Sequence, residues 1–117
     1  MSKSFRLADL GVIVHPRSEW PQVGLSYETK RVKPRYPIEF HTTQDRVSFE
    51  RVEQKAKQLR AGKDLAIEVV KIGGNIWVID GHHALAAYIR EGLPPTLAVH
   101  GGGPYQVPAP RYSRRVS

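Results

Sequence analysis

Residues 78–92 read Val-Ile-Asp-Gly-His-His-Ala-Leu-Ala-Ala-Tyr-Ile-Arg-Glu-Gly, and they carry the strongest structural signal in the chain. The pattern predicts an apolar strand that ends near Ile79, a turn at Asp80-Gly81, and an alanine-rich helix over residues 82–91. Glycine at such a turn lets the backbone approach a ligand, and the first N–H groups of the helix then point at that ligand. The sequence therefore predicts an anion or phosphate site at this turn.

Three polar side chains at this turn are the catalytic candidates. His82 and His83 carry imidazoles that bind, donate or accept protons near neutral pH, although adjacent residues at a helix start point in different directions. Asp80 is a candidate for activating a metal or water, but a hydrogen bond within the turn is the favoured interpretation. A metal site of Asp80 with both histidines is disfavoured, because the histidines lack the i, i+4 spacing of two ligands on one helix face. No metal site is therefore predicted.

An earlier helix is predicted over residues 45–61. Thr42, Thr43 or Asp45 is a candidate cap for its start, and Gly62 is a natural stop. One apolar stripe recurs along it at intervals of three and four residues, formed by Phe49, Val52, Ala56 and Leu59.

Strands are predicted on both sides of the second helix. Residues 65–72 are rich in Ile and Val, and Gly73-Gly74 joins them to residues 75–79 as a β-hairpin. Residues 96–100 form a closing strand; if it lies parallel to residues 76–79 in one sheet, the crossover is expected to be right-handed. These segments predict an α+β fold with a small mixed sheet and two main helices.

The two ends of the chain differ in composition from this core, which is expected over residues 41–100. Residues 1–40 contain four prolines and predict an extended, proline-rich arm with short strands. Residues 101–117 predict a basic tail, rich in Gly and Pro, that cannot form a packed core alone. Both ends are candidate surfaces for protein partners.

The charge of the chain suits a partner that carries phosphate. The 117 residues have a formal net charge of +7, and the absence of cysteine excludes disulfides, thiolate catalysis and Cys-ligated metals. No apolar run approaches the roughly 20 residues of a membrane helix, so no membrane partner is expected. Solvated surface is the alternative interpretation for each of two basic clusters that are candidate nucleic-acid contacts, namely Lys30, Arg31, Lys33 and Arg35, and Arg111, Arg114 and Arg115.

About half of the chain, residues 44–99, resembles the ParB/sulfiredoxin-like superfamily, in particular its small ParB-like nuclease domains. The resemblance rests on the first helix, the hairpin, the Asp80-Gly81-His82-His83 box and the helix that follows it. Thr43-Gln44 also matches a Thr-Gln pair often found before the first helix in this group. The resemblance implies the ParB/sulfiredoxin-like fold, with Gly81, His82 and His83 as the phosphate-binding element and Thr43 and Gln44 as further nucleotide contacts.

The box departs from the family pattern at one position. It usually continues Asp-Gly-His-His-Arg, whereas Ala84 follows the histidines here. An arginine–phosphate contact contributes roughly 1.5–3 kcal/mol, so its loss costs about ten- to a hundredfold in affinity unless another cation substitutes. Arg90 and the cluster at 30–35 are the candidate substitutes. His82 occupies the position of the sulfiredoxin cysteine, which excludes that chemistry, and the missing second arginine-rich box and helix-turn-helix domain argue against chromosome partition.

The resemblance implies a ligand that carries phosphate, nucleotide or DNA, with weak nuclease or NTPase activity. The candidate cofactor is Mg²⁺ with ATP or CTP, and a histidine would serve as acid or base. The alternative is a non-catalytic ParB-like fold, used as a structural or assembly module in a phage particle or plasmid complex and able to form homo-oligomers. A third alternative is an inhibitor of a DNA machine. The expected location is the cytoplasm, or a phage particle in the host cytoplasm.

Overall fold

The computed structural model describes residues 3–21, 25–26 and 28–101, and within them helices and sheets are mixed along the chain. This confirms the predicted α+β class. The helices are α1 (Phe49–Arg60) and α2 (His82–Glu91). The strands are β1 (Ser4–Arg6), β2 (Ile13–Val14), β3 (Thr29–Val32), β4 (Phe40–Thr42), β5 (Arg46–Ser48), β6 (Ala66–Ile72), β7 (Asn75–Asp80) and β8 (Thr96–His100).

Six of these strands form one mixed sheet in the order β2-β4-β7-β6-β8-β3, and β1 pairs with β5 in a separate two-stranded sheet. The β6–β7 hairpin predicted across Gly73-Gly74 is confirmed, with Ile72 opposite Asn75. The second helix is also confirmed, and it ends at Gly92, which has the left-handed conformation of a helix C-cap. These local features surround the turn that contains Gly81.

The closing strand β8 lies beside β6 and not beside β7. It runs parallel to β6, with Leu97 opposite Ile67, and β6 runs antiparallel to β7. β8 is therefore not parallel to residues 76–79, and the condition for the expected right-handed crossover is not met. The hairpin places β6 on one side of β7, and β4 pairs in parallel with its other side.

The first helix begins four residues later than predicted. Residues 46–48 form β5, in which Val47 lies opposite Phe5 of β1 and is 2% exposed. An extended conformation buries Val47 in the core, and this non-local contact overrides the local helical pattern. The cap is accordingly Ser48, whose Oγ accepts a hydrogen bond from the Arg51 N–H, and not Thr42, Thr43 or Asp45.

The six-stranded sheet has a different cluster of apolar side chains on each face. The main core lies between the sheet and the helices and includes Val52, Val78 and Leu85. The opposite face carries a smaller cluster, formed by Trp20, Val70 and Trp77. Because successive strand side chains point to opposite faces, neighbouring residues of one strand serve different clusters.

The segment expected as an extended arm, residues 1–40, contributes β1, β2 and β3 to the two sheets. Leu7, within this segment, is completely buried in the main core. Of the predicted basic tail, the structure describes Gly101 alone. Neither helix in the described part of the chain has the length and apolar character that crossing a membrane requires.

Candidate functional site

The turn at Gly81 requires glycine for two reasons. Gly81 is the N-cap of α2 and has a φ of 95°, in the left-handed region that other residues rarely adopt. A Cβ atom at this position would also lie 3.3 Å from the Ile67 Cα. Close packing of this turn on β6 therefore sets where α2 begins, and no side chain among the described residues caps that end of the helix.

A cleft of about 740 Å³ opens at this start of α2. One side is formed by the turn itself, and another by α1, which contributes Arg51 and Lys55. The third side comes from the segment that leads into β6 and from β6, including Asp64 and Glu68. The first helix and the turn, which are separate in sequence, thus face a common space.

Each of the three carboxylates around this cleft is in hydrogen-bond contact with a neighbouring group. Asp64 accepts hydrogen bonds from Thr96 and from Arg31, whose Nη1 lies 3.3 Å from Oδ2. Glu68 Oε1 lies 2.8 Å from His100 Nε2, and Asp80 Oδ1 accepts a 2.8 Å hydrogen bond from the Gly81 N–H. Asp80 therefore makes the hydrogen bond within the turn that the sequence analysis favoured.

The two cations of the cleft, by contrast, have no carboxylate partner within the described residues. Arg51 and Lys55 form no ion pair there, while Arg90, which was expected as a substitute cation, pairs with Glu53 at 2.6 Å. Ala84 is 4% exposed and belongs to the main core. Positive charge therefore reaches the cleft from α1 and not from the helix that contains the box.

His82 is a largely buried, neutral side chain. Its Nε2 lies 2.7 Å from the Oγ1 of Thr42, a residue of β4 that is 1% exposed. The pKa of His82 is lowered to about 4, mainly by burial. The Asp80 carboxylate opposes this shift, and His83 contributes to it. At neutral pH His82 therefore carries no charge, and its ring joins α2 to β4.

His83 is held by a different partner. Its Nε2 accepts a 3.1 Å hydrogen bond from the Ser48 backbone N–H, so this nitrogen must carry the lone pair. The proton of the neutral ring is then on Nδ1. Desolvation lowers the pKa of His83, and the positive charges of Arg51 and Lys55 lower it further. His83 thus contributes a neutral ring with one N–H donor to the wall of the cleft.

Thr43 and Gln44, the further nucleotide contacts implied by the resemblance, lie on a second cleft of about 490 Å³. His82 and Gln44 line both clefts and so separate them. The second cleft is also lined by Arg17 and Trp20. The predicted phosphate and nucleotide residues are therefore brought together around His82, but they are divided between two adjacent spaces.

Two of the four residues of the basic cluster at 30–35, Arg31 and Lys33, lie at the rim of the first cleft. Arg31 contacts Asp64, and Lys33 Nζ lies 3.3 Å from Thr96 Oγ1. Lys30 and Arg35 are exposed, and neither forms an ion pair within the described residues. The second predicted cluster, Arg111, Arg114 and Arg115, lies outside the described residues.

Arg51 and Lys55 are candidate site residues that were not predicted from the sequence. Their spacing of four residues on a predicted helix was the available signal, since such residues share one helix face. No group of three or more His, Asp or Glu side chains is placed to hold a metal ion in the part of the chain that the structure describes. In comparisons with known proteins, no family model, curated protein or solved structure matches this chain.

Proposed function

We propose that this protein binds a phosphate-bearing ligand, a nucleotide or DNA, at the Asp80-Gly81-His82-His83 turn. The observation that carries the proposal is that the start of α2 faces Arg51 and Lys55 across one cleft. The N–H groups and dipole of a helix start attract an anion, and two cations without carboxylate partners add to that attraction. A volume of about 740 Å³ lies within the usual range for small-ligand sites.

The resemblance to the ParB/sulfiredoxin-like superfamily supports the same proposal. The elements that carry the resemblance are the first helix, the hairpin, the box and the helix after it, and each of them contributes residues to the lining of the proposed site. The cations differ in origin from the family pattern, because Arg51 and Lys55 take the place of the arginine absent at position 84. An arginine–phosphate contact of roughly 1.5–3 kcal/mol is then available from α1.

We expect the site to bind its ligand with little turnover, so that any nuclease or NTPase activity is weak. A general base needs a free lone pair within reach of the proton that it removes. His83 Nε2 is occupied by the Ser48 N–H, and His82 Nε2 lies against Thr42. Neither Nε2 atom is therefore free to act as a base, and we expect the two histidines to serve mainly as neutral parts of the binding surface.

A non-catalytic assembly module, in a phage particle or plasmid complex, is the second candidate. The observation that favours it is the same pair of internal contacts, which give both histidines a structural role. In that case the two ends of the chain would bind protein partners or further copies of the chain. This function predicts no affinity for nucleotides.

A binding titration with charge variants tests the proposal. Purified protein is titrated with ATP, CTP and a short DNA duplex, with and without Mg²⁺, at two salt concentrations. The variants are Arg51→Gln and Lys55→Gln, with Lys57→Gln as the matched control, because Lys57 is an exposed cation of α1 that does not line the cleft.

We expect Arg51→Gln and Lys55→Gln each to weaken binding by about tenfold, as the loss of one charge-assisted contact predicts, and Lys57→Gln to leave binding unchanged. Equal weakening in all three variants would show general attraction to a basic surface and would contradict a site at Gly81. Absence of any binding by the unmodified protein would favour the assembly module.

A further inference from the structure

A chain of four polar side chains crosses the face of the sheet that lies away from the helices. Glu19 Oε1 lies 3.1 Å from His15 Nδ1, and His41 Nε2 lies 2.9 Å from Glu39 Oε2. Between them, His15 Nε2 lies 2.9 Å from His41 Nδ1. Both imidazoles also pack against Trp77, with ring centroids 4.6 Å and 5.4 Å away.

The hydrogen bonds of this chain determine how many protons it holds. An ionised carboxylate only accepts hydrogen bonds, so the outer ring nitrogens, His15 Nδ1 and His41 Nε2, must carry protons. If both rings were neutral, their inner nitrogens would face each other with lone pairs at 2.9 Å. That distance is a hydrogen-bond distance, and it requires one proton between the two rings.

We propose that His15 and His41 together bind one additional proton, shared between His15 Nε2 and His41 Nδ1, and that this proton fastens residues 13–20 to the sheet. The inference does not depend on the proposed ligand. Glu19 and Glu39 balance the positive charge at both ends of the pair. Trp77 adds a favourable contact between a cationic ring and an aromatic face.

The charged surroundings of the pair come from few elements. Glu19 lies in the 3₁₀ turn Arg17–Glu19 after β2, and Glu39 directly precedes β4. Arg17, in the same turn, lines the second cleft. From β7, the pair is covered by Trp77, which is uncharged.

The segment that the proton would fasten pairs with the sheet over a short length, which the His15 N–H extends by a 2.8 Å hydrogen bond to the Thr42 carbonyl. β2 has only two residues, which pair with β4 at the edge of the sheet. Beyond it, Trp20 packs with its edge on Trp77, at a centroid distance of 5.9 Å, and forms part of the second cleft. Release of the proton would therefore loosen one wall of that cleft.

Proton counting gives this attachment an optimum in pH. The attached segment holds one shared proton, because two protons cannot fit between the inner nitrogens. When the segment detaches, the His15 and His41 rings take up protons independently of each other, and together they hold two additional protons in acid and none in alkali. Attachment is therefore weakened toward acid and also toward alkali, and the limiting slope on each side is about tenfold per pH unit.

Fluorescence of the two tryptophans measures this attachment in the full chain. We expect the emission to change in two steps, one toward acid and one toward alkali, and to return when the pH is restored. His15→Phe keeps a ring on Trp77 but removes both nitrogens, so both steps should disappear. His100→Gln is the matched control, because His100 lies near one carboxylate, Glu68, and its variant should keep both steps.

Nitrogen NMR of the unmodified protein, with ¹⁵N-labelled histidine, tests the proton directly and does not depend on the folding of any variant. At the optimum, the signals of His15 and His41 together should report three ring protons. Two neutral rings with two ring protons, or emission steps that persist in a folded His15→Phe protein, would overturn the proposal.

Discussion

The Nε2 atom of His82 lies 2.7 Å from the Oγ1 atom of Thr42, so the first residue of α2 is joined to β4 through a buried contact. The preceding residue of β4, His41, points to the opposite face of the sheet and contacts His15. Two neighbouring positions of one short strand therefore support the start of α2 on one face and the histidine pair on the other.

Loss of the Thr42 hydroxyl should destabilise the fold. Thr42 Oγ1 contacts His82 Nε2 and accepts a hydrogen bond from the Gln44 N–H, and Thr42→Val keeps the shape but removes both contacts. Leaving the largely buried His82 ring without this partner should cost about 1–3 kcal/mol of unfolding free energy, measured by urea denaturation. Thr43→Val, at a half-buried neighbour, is the control and should cost less than about 0.5 kcal/mol; equal losses would contradict this role of Thr42.

The stability of the protein should fall in mild acid because of His82. Its pKa in the folded protein is about 4, below the ordinary 6.5, because burial disfavours the charged ring. The unfolded chain therefore binds this proton more readily, so the stability is fully present above about pH 6.5 and is lost as the pH falls toward 4. At about 1.4 kcal/mol per pKa unit, the loss approaches about 3 kcal/mol.

Urea denaturation at several pH values between these limits measures this loss. His82→Gln replaces the imidazole by an amide that does not titrate, so the acid loss should become smaller by a similar amount. An unchanged pH dependence in that variant would assign the loss to other groups.

Substitution of Gly81 should cost more than substitution of Gly74, although both glycines have a positive φ. At Gly74 an added Cβ meets no atom within 4 Å, so Gly74→Ala introduces only backbone strain of about 1–2 kcal/mol. At Gly81 the same Cβ lies 3.3 Å from the Ile67 Cα, so Gly81→Ala must also move α2 away from β6. Thermal unfolding of the two variants compares these costs, and equal melting temperatures would exclude the close approach as a constraint.

Removal of the Tyr88 hydroxyl should loosen the start of β6. The hydroxyl donates a 2.7 Å hydrogen bond to the Leu65 carbonyl and accepts one from the Leu65 N–H at 3.2 Å. Tyr88 is 2% exposed, so Tyr88→Phe should cost about 1–3 kcal/mol and increase hydrogen exchange at Leu65. An unchanged free energy of unfolding and unchanged hydrogen exchange at Leu65 in Tyr88→Phe would contradict this role of the hydroxyl.

Local sequence patterns were sufficient to predict the part of the fold around the Gly81 turn. The hairpin at Gly73-Gly74 and the end of α2 at Gly92 were predicted correctly, because both depend on glycines that adopt a positive φ. The helix after Gly81 was also predicted correctly, because its apolar spacing and its two flanking glycines agree. Such features involve residues close in sequence, and the local chain determines them.

The tertiary structure alone decided which distant residues meet. Val47 lies in a strand and not in the predicted helix because it packs opposite Phe5, and Arg51 reaches the cleft because α1 lies beside the start of α2. The contact between His15 and His41 spans 26 residues and depends on the pairing of β2 with β4. The physical reason is that strand order and helix packing bury apolar surface contributed by the whole chain. A short stretch of sequence therefore does not determine which distant residues will be in contact.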